Sequence, residues 1–363
     1  MSEMQEMIME SVTKLFDKYS TKEVINESEN GRWAQELWEQ LVENGMVTVA
    51  IPEELGGNGG DYSDALSILR LAGKYSAPIP LAETYLANWI LMGLGENVTD
   101  EITTVSCSKD VNPIQLQKNG DGWVVFGSVK QVPWARFAKK LLVMGETSEG
   151  SIVALIPLKN AKIIQGENLA GEARDEVIFN NVYLHDCKTI KVDGVLQKKN
   201  ILYGGALTRT AMMAGALENI MELTVQYTNE RSQFGRPIHR FQAVQQHLAM
   251  LAGETAAAST AANCAVDSYG KDLFTNEIAF AKIRVNEAAG KASSIAHQVL
   301  AAIGFTYEHT LHHSSRRLWS WRDEFGTETD WEQIVTEQLV TLKQDGLWSM
   351  ITGNENKHQK VEL

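Results

Sequence analysis

The feature that most constrains the fold is a change in hydrophobic period along the chain. Apolar residues recur at helical steps over residues 10–97, as at Leu37 and Leu41. Short β-prone runs separated by Gly, Asn and Asp follow over residues 102–186, and helical stripes resume from Asn200. This order predicts a helical layer, then a β unit, then a second helical unit, rather than alternating βαβ units.

We therefore predict an α+β multidomain protein. Its parts are an N-terminal α-helical domain over 1–100, a middle antiparallel β domain over 101–195, and a C-terminal four-helix bundle over 196–363. A chain of 363 residues suits two or three such units, because domains mostly span roughly 100–200 residues. Three apolar stripes predict the buried seam of the bundle: Leu207, Ala211, Ala214, Leu217 and Met221; Phe241, Val244, Leu248 and Leu251; and Ile278, Ala281, Val285, Ala288, Ala292, Ile295 and Val299.

Charge and hydropathy narrow the function classes. The 46 acidic residues against 33 Lys and Arg give a net charge of −13, which argues against a nucleic-acid partner because phosphate binding requires a basic face. No apolar run approaches the ~18 residues that a membrane span needs. The first residues lack a basic stretch followed by an apolar one, so we expect a cytoplasmic protein.

Three stretches of the chain contain motifs that together indicate one protein family. They are IPEELGGNG at 51–59, RSQFGRPI with FQAVQ at 231–245, and a glutamine at 298 followed by GF at 304–305. Their order resembles that of the acyl-CoA dehydrogenases, and the likeness covers nearly the whole chain. The resemblance implies an acyl-CoA substrate, FAD as the cofactor, and α,β-desaturation of the thioester, in which a hydride passes to the flavin.

The motif at 231–245 carries the implied cofactor contacts. In the family, the arginine of R-x-x-FG and the backbone beside it hold the FAD pyrophosphate and adenosine across a subunit interface. The resemblance therefore makes Arg231 the principal contact, because a forked guanidinium suits phosphate. In the alternative interpretation, Arg231 only ends a helix favourably against its dipole. The other implied cofactor-binding residues are Gln233, Phe234, Gly235, Phe241, Gln242, Gln298, Ala302 and Thr327.

The family's catalytic glutamate is missing from both of its usual positions. The reaction needs a carboxylate to remove the acidic α-proton. Counting from Gln298 places Phe325 at the usual position, and counting back from Arg231 places Gly205 at the alternative one. The family arginine that helps to hold acyl-CoA aligns with Ala206, so Arg209, one turn later, becomes the candidate substrate-binding residue.

Glu324 is the candidate base if the loop is offset by one residue, and Asp323 is a second possibility. In the alternative interpretation, these acids and Arg322 form surface ion pairs of little consequence. In the β domain, the family places a Trp-Ile-Thr strand against the flavin ring. Pro133 removes a hydroxyl and a backbone donor from that strand, and Trp134 is left as a candidate for the stacking role.

These losses favour a heteromer, because groups for the chain's own FAD are missing while those offered to a neighbour's FAD persist. We expect this chain to supply the adenosine and pyrophosphate half of a shared FAD site to a complete family subunit, in an α2β2 assembly. An electron-transfer flavoprotein is the expected acceptor. The alternatives are a self-sufficient homo-oligomeric dehydrogenase with Glu324 as base, and a non-enzymatic scaffold.

A metal site is not expected, although histidines occur close together. His309, His312 and His313 have a spacing that could place two imidazoles on one helix face. No cysteine or acidic cluster accompanies them in the sequence, so we predict that they line a domain interface instead.

Overall fold

The predicted succession of helices, sheet and helices is confirmed by the computed structural model, which describes residues 3–106, 114–185, 187–269, 276–342 and 346–352. The N-terminal region contains five helices: α1 Glu3–Tyr19, α2 Lys22–Glu29, α3 Gln35–Glu43, α4 Tyr62–Lys74 and α5 Leu81–Gly93. Asp61 begins α4 with a capping box, because its side chain accepts from the backbone N–H of Asp64 and the Asp64 side chain accepts in return.

The middle region is an eight-stranded sheet. Its strands are β1 Thr103–Val105, β2 Ile114–Asn119, β3 Gly122–Pro133, β4 Lys140–Thr147, β5 Gly150–Pro157, β6 Lys162–Ile164, β7 Arg174–Leu184 and β8 Lys188–Lys191. The strand order is β6-β7-β3-β2-β4-β5-β8, with β1 on β4.

The sheet is mixed rather than wholly antiparallel. Five of its pairings are antiparallel, but β4 pairs in parallel with both β1 and β2. The chain reverses between β2 and β3 and again between β3 and β4, so β4 runs in the same direction as β2. The β-prone runs predict strands in this region, and they match β1, β3, β4, β5 and β7 but miss β2, β6 and β8. They also do not encode which strands become neighbours.

The C-terminal region is helical, with a short hairpin inserted after its first helix. Its elements are α6 Gly194–Glu230, β9 Ser232–Gln233, β10 Arg236–Pro237, α7 Gln242–Tyr269, α8 Asn276–Leu300, α9 Leu311–Asp323, α10 Glu328–Leu339 and α11 Gly346–Thr352. Helices α6 and α8 each pack against both α7 and α9, which forms the bundle. No helix in the described ranges is long and apolar enough to cross a membrane.

Two of the three predicted stripes are largely buried, and the third is not. On α6 and α8 the stripe residues are buried except for Met221, Ile295 and Val299. On the α7 stripe only Leu251 is buried, while the three apolar residues before it remain partly exposed. The prediction of a fully buried α7 seam is therefore wrong for the single chain, because the first turns of α7 extend beyond the helices that cover its later part.

Helices α4 and α6 approach each other until their backbones touch. A Cβ atom on Gly73 would collide with the backbone of Met212, and a Cβ atom on Gly215 would collide with the backbone of Arg70. The two glycines therefore allow a crossing that no larger residue permits. This close approach determines how deeply the buried polar residues of α6 lie within the protein.

The substitution Gly215→Ala should destabilise the protein, because the added methyl overlaps backbone that cannot move away. We expect the free energy of unfolding to fall by about 1–3 kcal/mol, as for other overpacked cores. Gly253→Ala on α7 is the matched control, since a Cβ there meets no atom within 4 Å. That control should be neutral or stabilising by about 0.5–1 kcal/mol. Urea unfolding followed by circular dichroism measures both, and equal midpoints for wild type and Gly215→Ala would contradict the close crossing.

Candidate functional site

Phe325, at the usual position of the family's base, lies in the loop between α9 and α10. Its side chain is only 5% exposed and its backbone is left-handed, with φ of 54°. The indole N–H of Trp331 donates to the Phe325 carbonyl at 3.0 Å, which holds this loop against α10. A Cβ atom on Gly205 would overlap the Phe325 ring. The ring therefore occupies the space that a side chain at the alternative base position would need.

Glu324, the candidate base, is held by two arginines. The Arg174 Nε donates to one carboxylate oxygen at 2.7 Å, and the Arg209 Nε donates to the other at 2.6 Å. The side chain of Glu324 is buried, as are both guanidiniums. Burial raises the pKa of Glu324, but the two arginines outweigh it and hold the pKa of the carboxyl below its usual range.

The interpretation of this loop as a set of surface ion pairs is therefore wrong for Glu324. It is correct in part for its neighbours, because Asp323 is exposed and Arg322, which pairs with Glu328, is partly exposed. Glu324 turns inward because its partner arginines lie on β7 and α6, on the inner side of the loop.

Arg209, the candidate substrate-binding residue, is fully engaged by protein groups. Besides Glu324 it pairs with Glu83 of α5, and its guanidinium lies 5.6 Å from the centre of the Phe325 ring. The side chain is buried, and it cannot reach a ligand while these pairs persist.

The pairs at Glu324 belong to a longer chain of alternating charges, here called the buried charge network. Arg174 also pairs with Glu172 at 3.1 Å, and Glu172 accepts from the Trp321 indole at 2.9 Å. The network joins the first helical region, the sheet region and the last helical region. In order of contact its members are Glu83, Arg209, Glu324, Arg174, Glu172, Arg317, Glu29 and Arg316.

Lys282 of α8 stabilises the same loop through hydrogen bonds to the end of α9. It is completely buried on α8, and its Nζ donates to the carbonyls of Trp321 and Arg322 at 3.1 and 3.2 Å. These carbonyls end α9, so the lysine satisfies acceptors that the helix leaves open. Burial lowers the pKa of Lys282 to about 7.

Trp134 is packed among aromatic side chains of its own chain. It is 4% exposed, and its ring centroid lies 6.4 Å from Trp33 and 6.3 Å from Phe137. Trp33 stacks on Phe137 at 5.0 Å. The ring that the sequence leaves as the candidate for stacking on a flavin is therefore covered by protein.

The motif at 231–245 forms an exposed hairpin. Phe234 and Gly235 make its turn with φ values of 51° and 77°, and Phe234 is 91% exposed. Arg231 and Gln233 are exposed as well, and no ion pair within the described ranges engages the Arg231 guanidinium. The hairpin thus presents a cation, backbone and an aromatic ring outward.

Gln242 begins α7 beside this hairpin, and Phe241 directly precedes it. The Arg236 guanidinium lies 4.2 Å from the centre of the Phe241 ring, and Phe234 contacts the same ring edge-on at 6.1 Å. Gln242 is exposed. The aromatic contacts fix the outward direction of the arginine-bearing turn.

The remaining predicted cofactor residues divide into two kinds. Gln298 and Ala302 are exposed, at the end of α8 and in the turn after it. Thr327 instead caps α10 in a capping box, where its hydroxyl oxygen accepts from the Asp330 backbone N–H at 3.4 Å and Asp330 Oδ2 accepts from the Thr327 backbone N–H at 2.7 Å. A cofactor role for these residues stays a prediction, and for Thr327 the structure adds a role as helix cap.

The histidines of α9 lie beside an acidic residue that comes from a distant part of the sequence. Ligand atoms of His312, His313 and Glu29 lie within 4.8 Å of one another. Both oxygens of Glu29 are already paired with Arg316 and Arg317, whose positive charges oppose a metal ion. The cluster joins α2 to α9, as expected of residues at a domain interface.

Sequence reasoning missed six members of the network, namely Glu29, Glu83, Glu172, Arg174, Arg316 and Arg317. Glu83 could have been recognised from the sequence as a buried charge, because it is a lone acid in the apolar stretch of α5. A buried acid on a helix requires a basic partner. The identity of that partner was not readable, since Arg209 lies 126 residues further along.

Comparison with known proteins agrees with this architecture. The model of the acyl-CoA dehydrogenase N-terminal domain matches residues 2–101, and that of the acyl-CoA dehydrogenase C-terminal domain matches residues 193–334. The chain therefore belongs to the acyl-CoA dehydrogenase family of FAD-dependent oxidoreductases.

Three similar proteins cover most of the chain. Acyl-CoA dehydrogenase IpdE2 of Mycobacterium tuberculosis is 26% identical over 314 residues, which are 85% of this chain and 89% of that protein. The caffeyl-CoA reductase-Etf complex subunit CarC of Acetobacterium woodii is 22% identical over 377 residues, 93% of this chain and 99% of that protein. The crystal structure of the ChsE4-ChsE5 complex from Mycobacterium tuberculosis has the same fold, with a TM-score of 0.86 at 23% identity over 94% of this chain and 99% of that chain.

Replacing Glu324 by glutamine should destabilise the protein strongly, because it leaves two buried guanidiniums without their shared partner. We expect a loss of about 3–5 kcal/mol in the free energy of unfolding. Asp323→Asn is the matched control, since Asp323 is adjacent but exposed, and it should change stability by less than about 0.5 kcal/mol. Denaturant unfolding compares the two, and equal stabilities would show that the network is not a structural lock.

Stability should fall as the pH falls below about 6.5, through His313. Burial, together with the positive charges of Arg317 and Arg316 and the neighbouring His312, lowers its pKa to about 2. The unfolded chain takes up a proton below pH 6.5 that the folded chain refuses, so stability is complete above that pH and is lost towards pH 2. The slope for this one group is about 1.4 kcal/mol per pH unit.

The test compares wild type with His313→Gln at pH 7.5 and 5. The variant should lose less stability than wild type over this interval, because it carries no group to protonate at position 313. Parallel losses in the two proteins would show that His313 does not contribute.

Proposed function

We propose that this chain is the non-catalytic subunit of a heteromeric acyl-CoA dehydrogenase and supplies the adenosine and pyrophosphate half of a shared FAD site. The observation that carries the proposal is an asymmetry between two surfaces of one chain. Groups that would serve the chain's own flavin are buried against protein, while groups suited to a neighbour's cofactor are exposed.

The groups that are buried against protein lie around Phe325 and Arg209. A phenyl ring cannot take a proton from an acyl group, and it fills the space beside Gly205. Arg209 is occupied by two carboxylates, and Trp134 by two aromatic rings. Opening this region to acyl-CoA would require separation of several buried charge pairs, which is costly in a low-dielectric interior.

The exposed groups suited to a neighbour's cofactor lie on the hairpin. The exposed Arg231 guanidinium offers a planar fork of donors, which matches the oxygens of a pyrophosphate. The left-handed turn at Phe234 and Gly235 turns backbone and an aromatic ring outward beside it. This donor set fits the diphosphate and adenosine of FAD, and the bound flavin accepts the hydride that leaves the substrate.

In this proposal each mixed dimer of an α2β2 assembly holds one FAD. The partner contributes the base, the flavin-ring contacts and the acyl-CoA pocket, and an electron-transfer flavoprotein receives the electrons. ChsE4-ChsE5 is by its name a complex of two proteins, and the name of CarC places that relative in an Etf complex. Both lend support to partner subunits for this fold.

A self-sufficient enzyme with Glu324 as base is the less favoured function. Its carboxylate would have to leave two guanidiniums before it could reach a substrate. The low pKa that these arginines impose also weakens it as a base. A scaffold without flavin is less favoured as well, because it gives no role to the exposed Arg231 and its turn.

Arg231→Ala tests the proposal in the complex of this chain with its complete partner subunit. We expect flavin content to fall from about one FAD per mixed dimer to less than half of that value, because a charge-assisted contact to phosphate is worth about 1.5–3 kcal/mol. Arg32→Ala is the control, since Arg32 is an exposed arginine paired only with exposed Glu27. Absorbance at 450 nm per dimer gives the result, and unchanged flavin in Arg231→Ala would contradict the assignment.

A further inference from the structure

Lys282 of α8 differs from the other buried acids and bases in the described ranges, because it has no ionic partner there. Its side chain is completely buried, and no ion pair among the described residues includes it. Every other buried Asp, Glu or Arg side chain in those ranges belongs to at least one ion pair; these residues are Glu83, Glu172, Arg174, Asp175, Arg209, Arg317 and Glu324. A charge on Lys282 is therefore not neutralised by direct contact.

The Lys282 amine is held by uncharged acceptors. Its Nζ donates to the Asn286 side-chain oxygen at 2.9 Å and to the carbonyls of Trp321 and Arg322 at 3.1 and 3.2 Å. An uncharged amine keeps two of these bonds, because it has two N–H groups. An ammonium makes all three, but it holds a full charge away from water, and neutral dipoles offset that penalty less than a carboxylate does. The site therefore favours the uncharged amine.

The charges around Lys282 do not replace the missing partner. They come from α6, α9, α10 and the loop between the last two, and they are Arg209, Asp323, Glu324 and Glu328. Glu324 and Glu328 are themselves paired with arginines. On α7, Glu254 is paired with Arg284. Burial is consequently the largest influence, and it lowers the pKa of Lys282 from 10.5 to about 7.

The segment that covers the amine is close to solvent. The side chain of Arg322, whose carbonyl accepts from Lys282, is 40% exposed, and Asp323 next to it is exposed. The Arg322 side chain lies along α8, because a Cβ atom on Gly290 would lie 3.3 Å from its Nη1 atom. A small outward movement of this turn would bring water to Lys282.

We propose that Lys282 is a proton-operated switch for the end of α9, residues 320–324. The uncharged amine remains beneath the closed turn. When the amine takes up a proton from solvent, hydration of the ammonium favours an open state, in which the end of α9 moves outward and the Lys282 side chain reaches water. Phe325 directly follows this turn, so its placement responds to the proton. The switch acts within this chain and does not depend on whether the chain shares an FAD.

The direction of the effect follows from the number of protons that each state binds. In the open state Lys282 is in water and has its ordinary pKa of 10.5, whereas in the closed state its pKa is about 7. Between these two values the open state binds more protons, so its population falls by up to about tenfold per pH unit as the pH rises. Below pH 7 both states carry the proton, and the population no longer changes with pH.

Hydrogen exchange of the purified full-length chain, measured by mass spectrometry at pH 7, 8 and 9, tests the switch. The reporter is the peptide over 320–328, in which the Glu324 N–H donates to the Trp321 carbonyl at 3.2 Å. Its exchange rate is the product of the open population and the intrinsic rate, which rises about tenfold per pH unit. Because the open population falls at the same pace, the reporter should exchange at nearly one rate throughout. A rise of about a hundredfold, as expected for a peptide over 311–318, would overturn the proposal.

Lys282→Met removes the titrating amine and keeps a long unbranched side chain. The reporter of this variant should exchange about a hundredfold faster at pH 9 than at pH 7. A flat profile would assign the effect to another group and would also overturn the proposal. Lys291→Met is the matched control on the same helix, since the Lys291 side chain is 55% exposed, and it should behave as wild type does.

A second measurement needs no substitution. In protein labelled with carbon-13 at the lysine Cε atoms, NMR should show one lysine that titrates near pH 7, while exposed lysines titrate near pH 10.5. Titration of every lysine near pH 10.5 would contradict the switch, even if Lys282→Met does not fold.

Discussion

The structure depends on the buried charge network centred on Glu324. Its eight members comprise four acids and four arginines, so the network is neutral as a whole while each single charge is costly to expose alone. Its contacts join α2 and α5 to the sheet region and to the last helical region. The relative placement of these three regions therefore rests on charge pairing as well as on apolar packing. The close crossing of α4 and α6 sets Arg209 at the depth where it reaches both Glu83 and Glu324.

The same network underlies our proposal that this chain does not carry out the family's chemistry alone. Oxidation of an acyl-CoA requires a free carboxylate and an open pocket, and here a phenyl ring and paired charges occupy the corresponding region. The outward hairpin with Arg231 keeps a set of groups suited to phosphate. In the proposed assembly, such a subunit is rigid where its partner has the active site, and it offers its cofactor contacts across an interface. The partly exposed first turns of α7, next to that hairpin, are consistent with a neighbouring chain there.

The sequence predicts the fold well because its periods are encoded locally. Helical and β periods are read within one element. The network could not be predicted in this way, since Glu324 lies 150 residues from Arg174 and 115 residues from Arg209. The mixed strand pairing and the exposure of the α7 stripe likewise depend on tertiary packing. The alignment of Phe325 with the base position was readable, but only the structure reveals that its ring fills the space beside Gly205.

The most direct test of the central claim is the visible absorbance of the isolated chain, measured per subunit before and after addition of a panel of acyl-CoA esters. The proposed division of labour requires little or no FAD in the isolated chain, no bleaching with any ester, and recovery of flavin when a complete partner subunit is co-expressed. About one FAD per subunit, bleached by an acyl-CoA ester, would contradict it and would make Glu324 the leading candidate for the base.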